Sequence, residues 1–145
     1  MGRVFALVAG GLALCIALLL LAVYVTRDED NIQADSLLAE RFTLAVARAS
    51  RENGRVDLRA VAPFAWDRVL LVANGTSRAQ ISRRIGRPLT GIDTVDGGDL
   101  LIFLKSGDVA RFADYRGTGR FAGFARPFAD LPPVLRVENM VIRAA

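Results

Sequence analysis

Residues Leu100-Leu101-Ile102-Phe103-Leu104-Lys105-Ser106-Gly107-Asp108-Val109 decide the fold. Five consecutive large apolar residues leave no polar face to turn toward water. The run therefore predicts a central strand covered on both sides rather than a half-exposed one. Ser106-Gly107 has the chemistry of a two-residue hairpin turn, setting Lys105 opposite Asp108 and returning the chain as a strand over Val109 to Tyr115.

Upstream of this hairpin, Arg68-Val69-Leu70-Leu71-Val72 predicts a second buried strand and Asn74-Gly75-Thr76 a turn. Ser77-Arg78-Ala79-Gln80 has the spacing of a capping box. The short helix it opens carries Ile81 and Ile85 on one face and is closed by Gly86, with Pro88 preventing its return. Residues 89–99 predict a loop. Further upstream, Asp30-Asn31-Ile32-Gln33 offers another capping box. The helix expected from it, running to Asn53, places Leu38, Phe42, Ala45 and Ala49 on one stripe, with Leu37, Leu44 and Val46 widening it. Gly54 is a natural stop. Residues 55–66 are mixed, and Trp66 is expected to be buried against this helix or the sheet. Downstream, Arg116-Gly117-Thr118-Gly119-Arg120 reads as a turn or flexible loop. Phe121, Phe124 and Phe128 follow around Pro127, and Val134 to Ile142 predicts a last strand. The expected domain is α+β: a small two-layer unit of antiparallel sheet packed with two helices, over residues 28–145.

Gly75, Ser77, Gln80, Ile81, Ile85, Gly86 and Pro88, followed by an apolar hairpin with a Ser-Gly turn, resemble the SmpA/OmlA (BamE-like) small envelope domains across residues 75–115. The resemblance implies a two-layer α+β fold and a protein–protein role in a cell envelope. The chain departs from that family in lacking its lipidated cysteine and in having Trp66-Asp67 and a strand before the helix. No outer-membrane assembly function is carried over.

The first 27 residues have a different character. Val4 to Val25 is a run of 22 residues without a charge. As a helix it would span about 33 Å, close to a bilayer core of about 30 Å. Tyr24 sits where an interfacial aromatic belongs. The Ala22-Val23-Tyr24-Val25-Thr26 flank is a poor cleavage site, which favours an uncleaved signal-anchor over a cleaved signal. Leu14 before Cys15 and the ten apolar residues after it do not fit a lipobox. Residues 1–27 are thus expected to be a single-pass transmembrane helix in the cell membrane. The basic head at Arg3 puts residues 28–145 on the extracytoplasmic, periplasmic side.

Composition narrows the chemistry. Of 145 residues, 19 are basic and 15 acidic; Arg3 precedes the apolar run, so 18 basic residues face 15 acids beyond it. There is no histidine, and Cys15 is the only cysteine. This excludes histidine general bases and cysteine or histidine metal sites, and no cofactor motif is present. Asp93, Asp96 and Asp99 lie three apart, unlike the alternate acids of a calcium loop, and read as turn formers. Lys105-Ser106 lies at a hairpin tip, where a lysine is not easily desolvated. Asp67 beside Trp66 has no second carboxylate as a partner.

Arg78, Arg83, Arg84 and Arg87 crowd the short helix, with Arg116 and Arg120 downstream. They have few aromatics at stacking spacing beside them, so nucleic acid is disfavoured. These arginines, with Phe121, Phe124 and Phe128, are the candidate interaction residues. The expected function is non-catalytic: an anchored binding or assembly module, held to the bilayer by residues 4–25, with a protein partner in or near the membrane. The alternatives are an accessory subunit of a larger membrane complex, and a hydrolase or transferase built on aspartate and arginine, which requires a cleft where those groups converge.

Overall fold

A computed structural model describes residues 34–52 and 54–145. The apolar run 4–25 and the capping box expected at 30–33 lie outside these residues. Among the described residues, no helix is long and apolar enough to cross a membrane. The described residues all fall within one compact unit, Ile32–Ala145.

The central hairpin forms as its sequence predicts. Strands β3 (Asp99–Lys105) and β4 (Asp108–Tyr115) pair antiparallel, with Lys105 opposite Asp108. Ser106 and Gly107 both take positive φ, 52° and 87°, as a two-residue turn matched to strand twist requires. Strand β2 (Arg68–Val72) flanks β3 on its other side, and β6 (Phe128–Leu131) flanks β2, giving the order β4-β3-β2-β6. The period of two then sorts the side chains. Val69, Leu71, Leu101, Phe103, Ala113 and Tyr115 enter one core. Leu70, Val72, Leu100, Ile102, Leu104 and Phe112 enter a second core on the opposite face.

Each face is covered differently. The second core is closed by Ile81 of helix α3 (Arg78–Ile85) together with Leu89 and Val95. Both halves of the Ser77–Gln80 capping box are present, and Gly86 closes the helix at φ 76°. The first core is closed by helix α1 (Ser36–Glu52), which buries Leu38, Phe42, Val46 and Ala49, and by a second sheet. That sheet has the order β1-β7-β8-β5, formed by β1 (Arg55–Asp57), β5 (Arg120–Phe121), β7 (Val134–Glu138) and β8 (Val141–Ala144). Helix α1 lies against β4 of one sheet and β7 of the other. A one-turn helix, α2 (Leu58–Val61), follows β1.

The α+β class holds, but three expectations need correction. The two-layer arrangement with one sheet gives way to two four-stranded sheets, the first covered on both faces. The single last strand over 134–142 is a hairpin, because Asn139 and Met140 adopt φ 49° and 60° and turn the chain back. Leu37 and Leu44 do not widen the buried stripe of α1; they are 54% and 62% exposed.

Helix α1 is capped by Asp35, whose carboxylate accepts from the Leu38 N–H at 2.9 Å and from Arg111 Nη1 at 2.7 Å. Burial alone would raise this carboxyl group's pKa, but the backbone hydrogen bond and the guanidinium outweigh it and hold it below the usual value. A depressed pKa stabilises the fold at pH values above the unfolded value near 4 and ceases to do so as pH falls through the folded value. Acid unfolding below about pH 4 should therefore be shallower in Asp35→Asn than in the wild type. Equal slopes in a denaturant–pH series would refute this role.

Candidate functional site

The arginines of α3 do not form one cluster. Arg78, Arg83 and Arg87 rim a shallow groove of about 680 Å³ along the helix and the segment after it, with Ala79, Ser82, Gly86, Pro88, Leu89 and Thr90 between them. The groove exists because Gly86 breaks the helix and Pro88 carries the chain back beside it, while Leu89, 2% exposed, pins that segment into the core. Ser82 Oγ accepts from the Leu89 N–H at 2.9 Å and ties the two walls together.

Two of these arginines hold exposed ion pairs. Arg78 Nη1 lies 3.3 Å from Asp93, and Arg87 pairs with Asp108 at the hairpin. Such pairs contribute little in water and exchange readily for a better partner. Arg83 has no carboxylate partner among the described residues. Arg84 points away from the groove to Asp130, at 3.6 Å, which Arg68 also binds at 2.5 Å. Arg120 lies on β5 in the other sheet.

The three phenylalanines are core residues rather than an exposed patch. Phe121 is 5% exposed, stacks on Phe42 at 6.2 Å between ring centroids and meets Tyr115 edge-on at 5.7 Å. Phe124 is half-buried and packs on Phe121 at 6.0 Å. Phe128 is half-buried on β6 and packs against the second core. Burial also pushes the Tyr115 phenol upward in pKa, while its hydroxyl accepts from the Gly119 N–H at 3.0 Å.

A second concavity, of about 260 Å³, is formed where the loop 91–96 faces the end of β4. Leu100, Phe112, Ile92 and Val95 give it an apolar floor; Asp93, Asp96, Asp114 and Arg116 give it charge. Arg116 Nε donates to Asp114 Oδ2 at 2.6 Å, while Asp114 Oδ1 is buried with no hydrogen-bond partner. Asp99 lies elsewhere: it accepts from the Asn74 N–H at 3.1 Å and is held bidentately by Arg126. Asp67 accepts from the Ser106 N–H at 2.6 Å and anchors the hairpin tip. Among the described residues, no group of histidine, cysteine, aspartate or glutamate side chains is placed to hold a metal ion.

Sequence reasoning did not single out Asp114, which lines the same pocket as Asp96 only because the long loop between α3 and β3 faces the end of β4. No family model, no curated protein and no solved structure matches the chain.

Proposed function

We propose that the protein is a membrane-anchored binding module whose α3 groove receives an acidic, partly apolar segment of a partner protein in or near the membrane. The observation that carries this reading is the groove itself: an apolar floor between three exposed arginines, one of them without a carboxylate of its own. Guanidinium groups fork onto carboxylates, and the groove floor takes apolar side chains between them. Anchoring through residues 4–25 raises the local concentration near a membrane partner, so a modest interface suffices. The resemblance of residues 75–115 to small envelope domains leans the same way and favours the periplasmic side. A reporter active only outside the cytoplasm, fused after Ala145, reads that side directly.

The test uses the full chain in detergent micelles and a labelled peptide alternating glutamate and leucine. Wild type should bind it with an affinity that falls as salt rises. The triple variant Arg78→Glu/Arg83→Glu/Arg87→Glu should lose tenfold or more, about 1.4 kcal/mol. Equal affinity in the variant, or equal binding of a lysine–leucine peptide, rules the groove out. An accessory-subunit role uses the same surface and differs only in a stoichiometric partner that survives detergent extraction.

A second reading, an aspartate–arginine hydrolase or transferase, is favoured by one observation: Asp93, Asp96, Asp114 and Arg116 line a single pocket. It ranks below binding because Asp93 and Asp114 are engaged by Arg78 and Arg116. Loss of cellular activity in Asp96→Asn, with stability and peptide binding unchanged, would reverse that ranking.

A further inference from the structure

Helix α1 has a second stripe that neither core uses. Leu37, Arg41, Leu44, Arg48 and Arg51 are all exposed. At steps of four, three, four and three they stay within about 80° of one another on a 3.6-residue helix. The buried stripe of Leu38, Phe42, Val46 and Ala49 lies on the inward side. Leu37 and Leu44 are the large apolar side chains left most exposed among the described residues. Arg41, Arg48 and Arg51 have no carboxylate partner among the described residues, and Arg51 Nε reaches only the Ala47 carbonyl at 3.3 Å.

We infer that this stripe lies on the anionic surface of the bilayer, with Leu37 and Leu44 dipping into the headgroup boundary and the three arginines on lipid phosphates. Two observations select this occupant. The stripe alternates apolar and cationic residues, and its three arginines outnumber the exposed Glu40 and Glu52 at its flanks, so the face keeps the apolar and net cationic character that suits a negatively charged membrane surface. Ten residues separate Val25 from Ser36, and a chain of that length reaches at most about 35 Å, so a helix that follows an anchor cannot leave the bilayer's vicinity. The inference draws on the anchoring reading for this second point. It also keeps two surfaces apart: α1 and α3 cover opposite faces of the first sheet, so the stripe is separate from the α3 groove.

The experiment uses the full chain with Cys15→Ala, reconstituted in phosphatidylcholine vesicles with or without phosphatidylglycerol. An environment-sensitive dye is placed at Leu44→Cys and, in a separate protein, at Ala79→Cys on α3. With phosphatidylglycerol, emission at position 44 should shift to the blue and be quenched by headgroup nitroxides. Position 79 should not respond. High salt, or Arg41→Glu/Arg48→Glu/Arg51→Glu, should remove the response. A signal at 44 indifferent to phosphatidylglycerol and to the charge reversal overturns the inference, as does equal response at 79, or contact at 44 only when an acidic peptide is added. Retention in pure phosphatidylcholine after an alkaline wash reports the anchor separately. Retention without a lipid-charge response sinks the stripe alone; a lipid-charge response without retention sinks the anchor alone.

Discussion

Trp66→Ala is expected to destabilise the domain by about 3–5 kcal/mol, the range for removing a large aromatic from a core. Trp66 is 5% exposed and meets Phe103 of the central strand edge-on at 5.6 Å between centroids. Its indole Nε1 donates to the Ala62 carbonyl at 3.0 Å, so the polar atom of the ring is satisfied inside the core. Arg59 covers the outer face, with its guanidinium carbon 3.6 Å from the ring centroid and Nη1 donating to the Trp66 carbonyl at 2.7 Å. Removing the ring therefore opens a cavity beside Phe103 and strips Arg59 of its packing surface. Trp66→Phe separates these contributions. It keeps an aromatic against Phe103 and loses the hydrogen bond, but the Ala62 carbonyl still accepts from the Phe64 N–H at 2.9 Å. Its cost should stay near 1–2 kcal/mol. Urea unfolding of the full chain followed by pulse proteolysis gives both values without a tryptophan signal. A loss under about 1 kcal/mol in Trp66→Ala would show that the ring is not part of the core.

The parts of the fold readable in the sequence are those with strong local signals. The run 100–104 has no polar face and becomes a strand covered on both sides, and Ser106-Gly107 makes the turn. The Ser77–Gln80 box and Gly86 bound α3 as their chemistry dictates. The second sheet was illegible for definite reasons. Strands β1 and β5 have three and two residues, too few for any period, and β5 forms only by pairing in parallel with the distant β8. Between β7 and β8 the turn is made by Asn139-Met140, where no glycine marks it, so Val134 to Ile142 reads as one apolar run.

The candidate surfaces follow the same logic. Aromatics around Pro127 read equally well as contacts or as core plugs; only the stacking of Phe121 between Phe42 and Tyr115 shows which. Leu37 and Leu44 sit at helical spacing with the buried stripe, but α1 packs against both sheets with its other face, and these residues fall on the side that neither sheet covers. Their alternation with Arg41 and Arg48 was the available signal. The four arginines were visible, but their division between groove and Asp130 depends on where β6 pairs, a contact more than forty residues away in sequence.

Gly98→Ala should be among the most damaging small substitutions, at the upper end of the roughly 1–3 kcal/mol typical of overpacking. The reason is space, not conformation. Gly98 lies outside the left-handed region, but it immediately precedes β3 and sits directly against the end of β4. A Cβ there would collide with the Tyr115 carbonyl oxygen and come within 2.9 Å of its carbonyl carbon. Backbone cannot rotate aside, so β3 and β4 must separate at the point where Leu100 and Phe112 floor the aspartate–arginine pocket. Gly107, at the hairpin turn, is the control. Its φ is 87° and nothing lies within 4 Å of an added Cβ, so Gly107→Ala meets only the left-handed backbone penalty of about 1–2 kcal/mol. Asparagine distinguishes the two causes. It tolerates the left-handed region, so Gly107→Asn should recover most of the loss seen with alanine. At position 98 the larger side chain should be worse than alanine. Denaturant midpoints for the four variants decide the point: recovery by asparagine at position 98, or a loss there smaller than at 107, would show that the strands yield at Gly98 and that close backbone approach does not fix this end of the sheet.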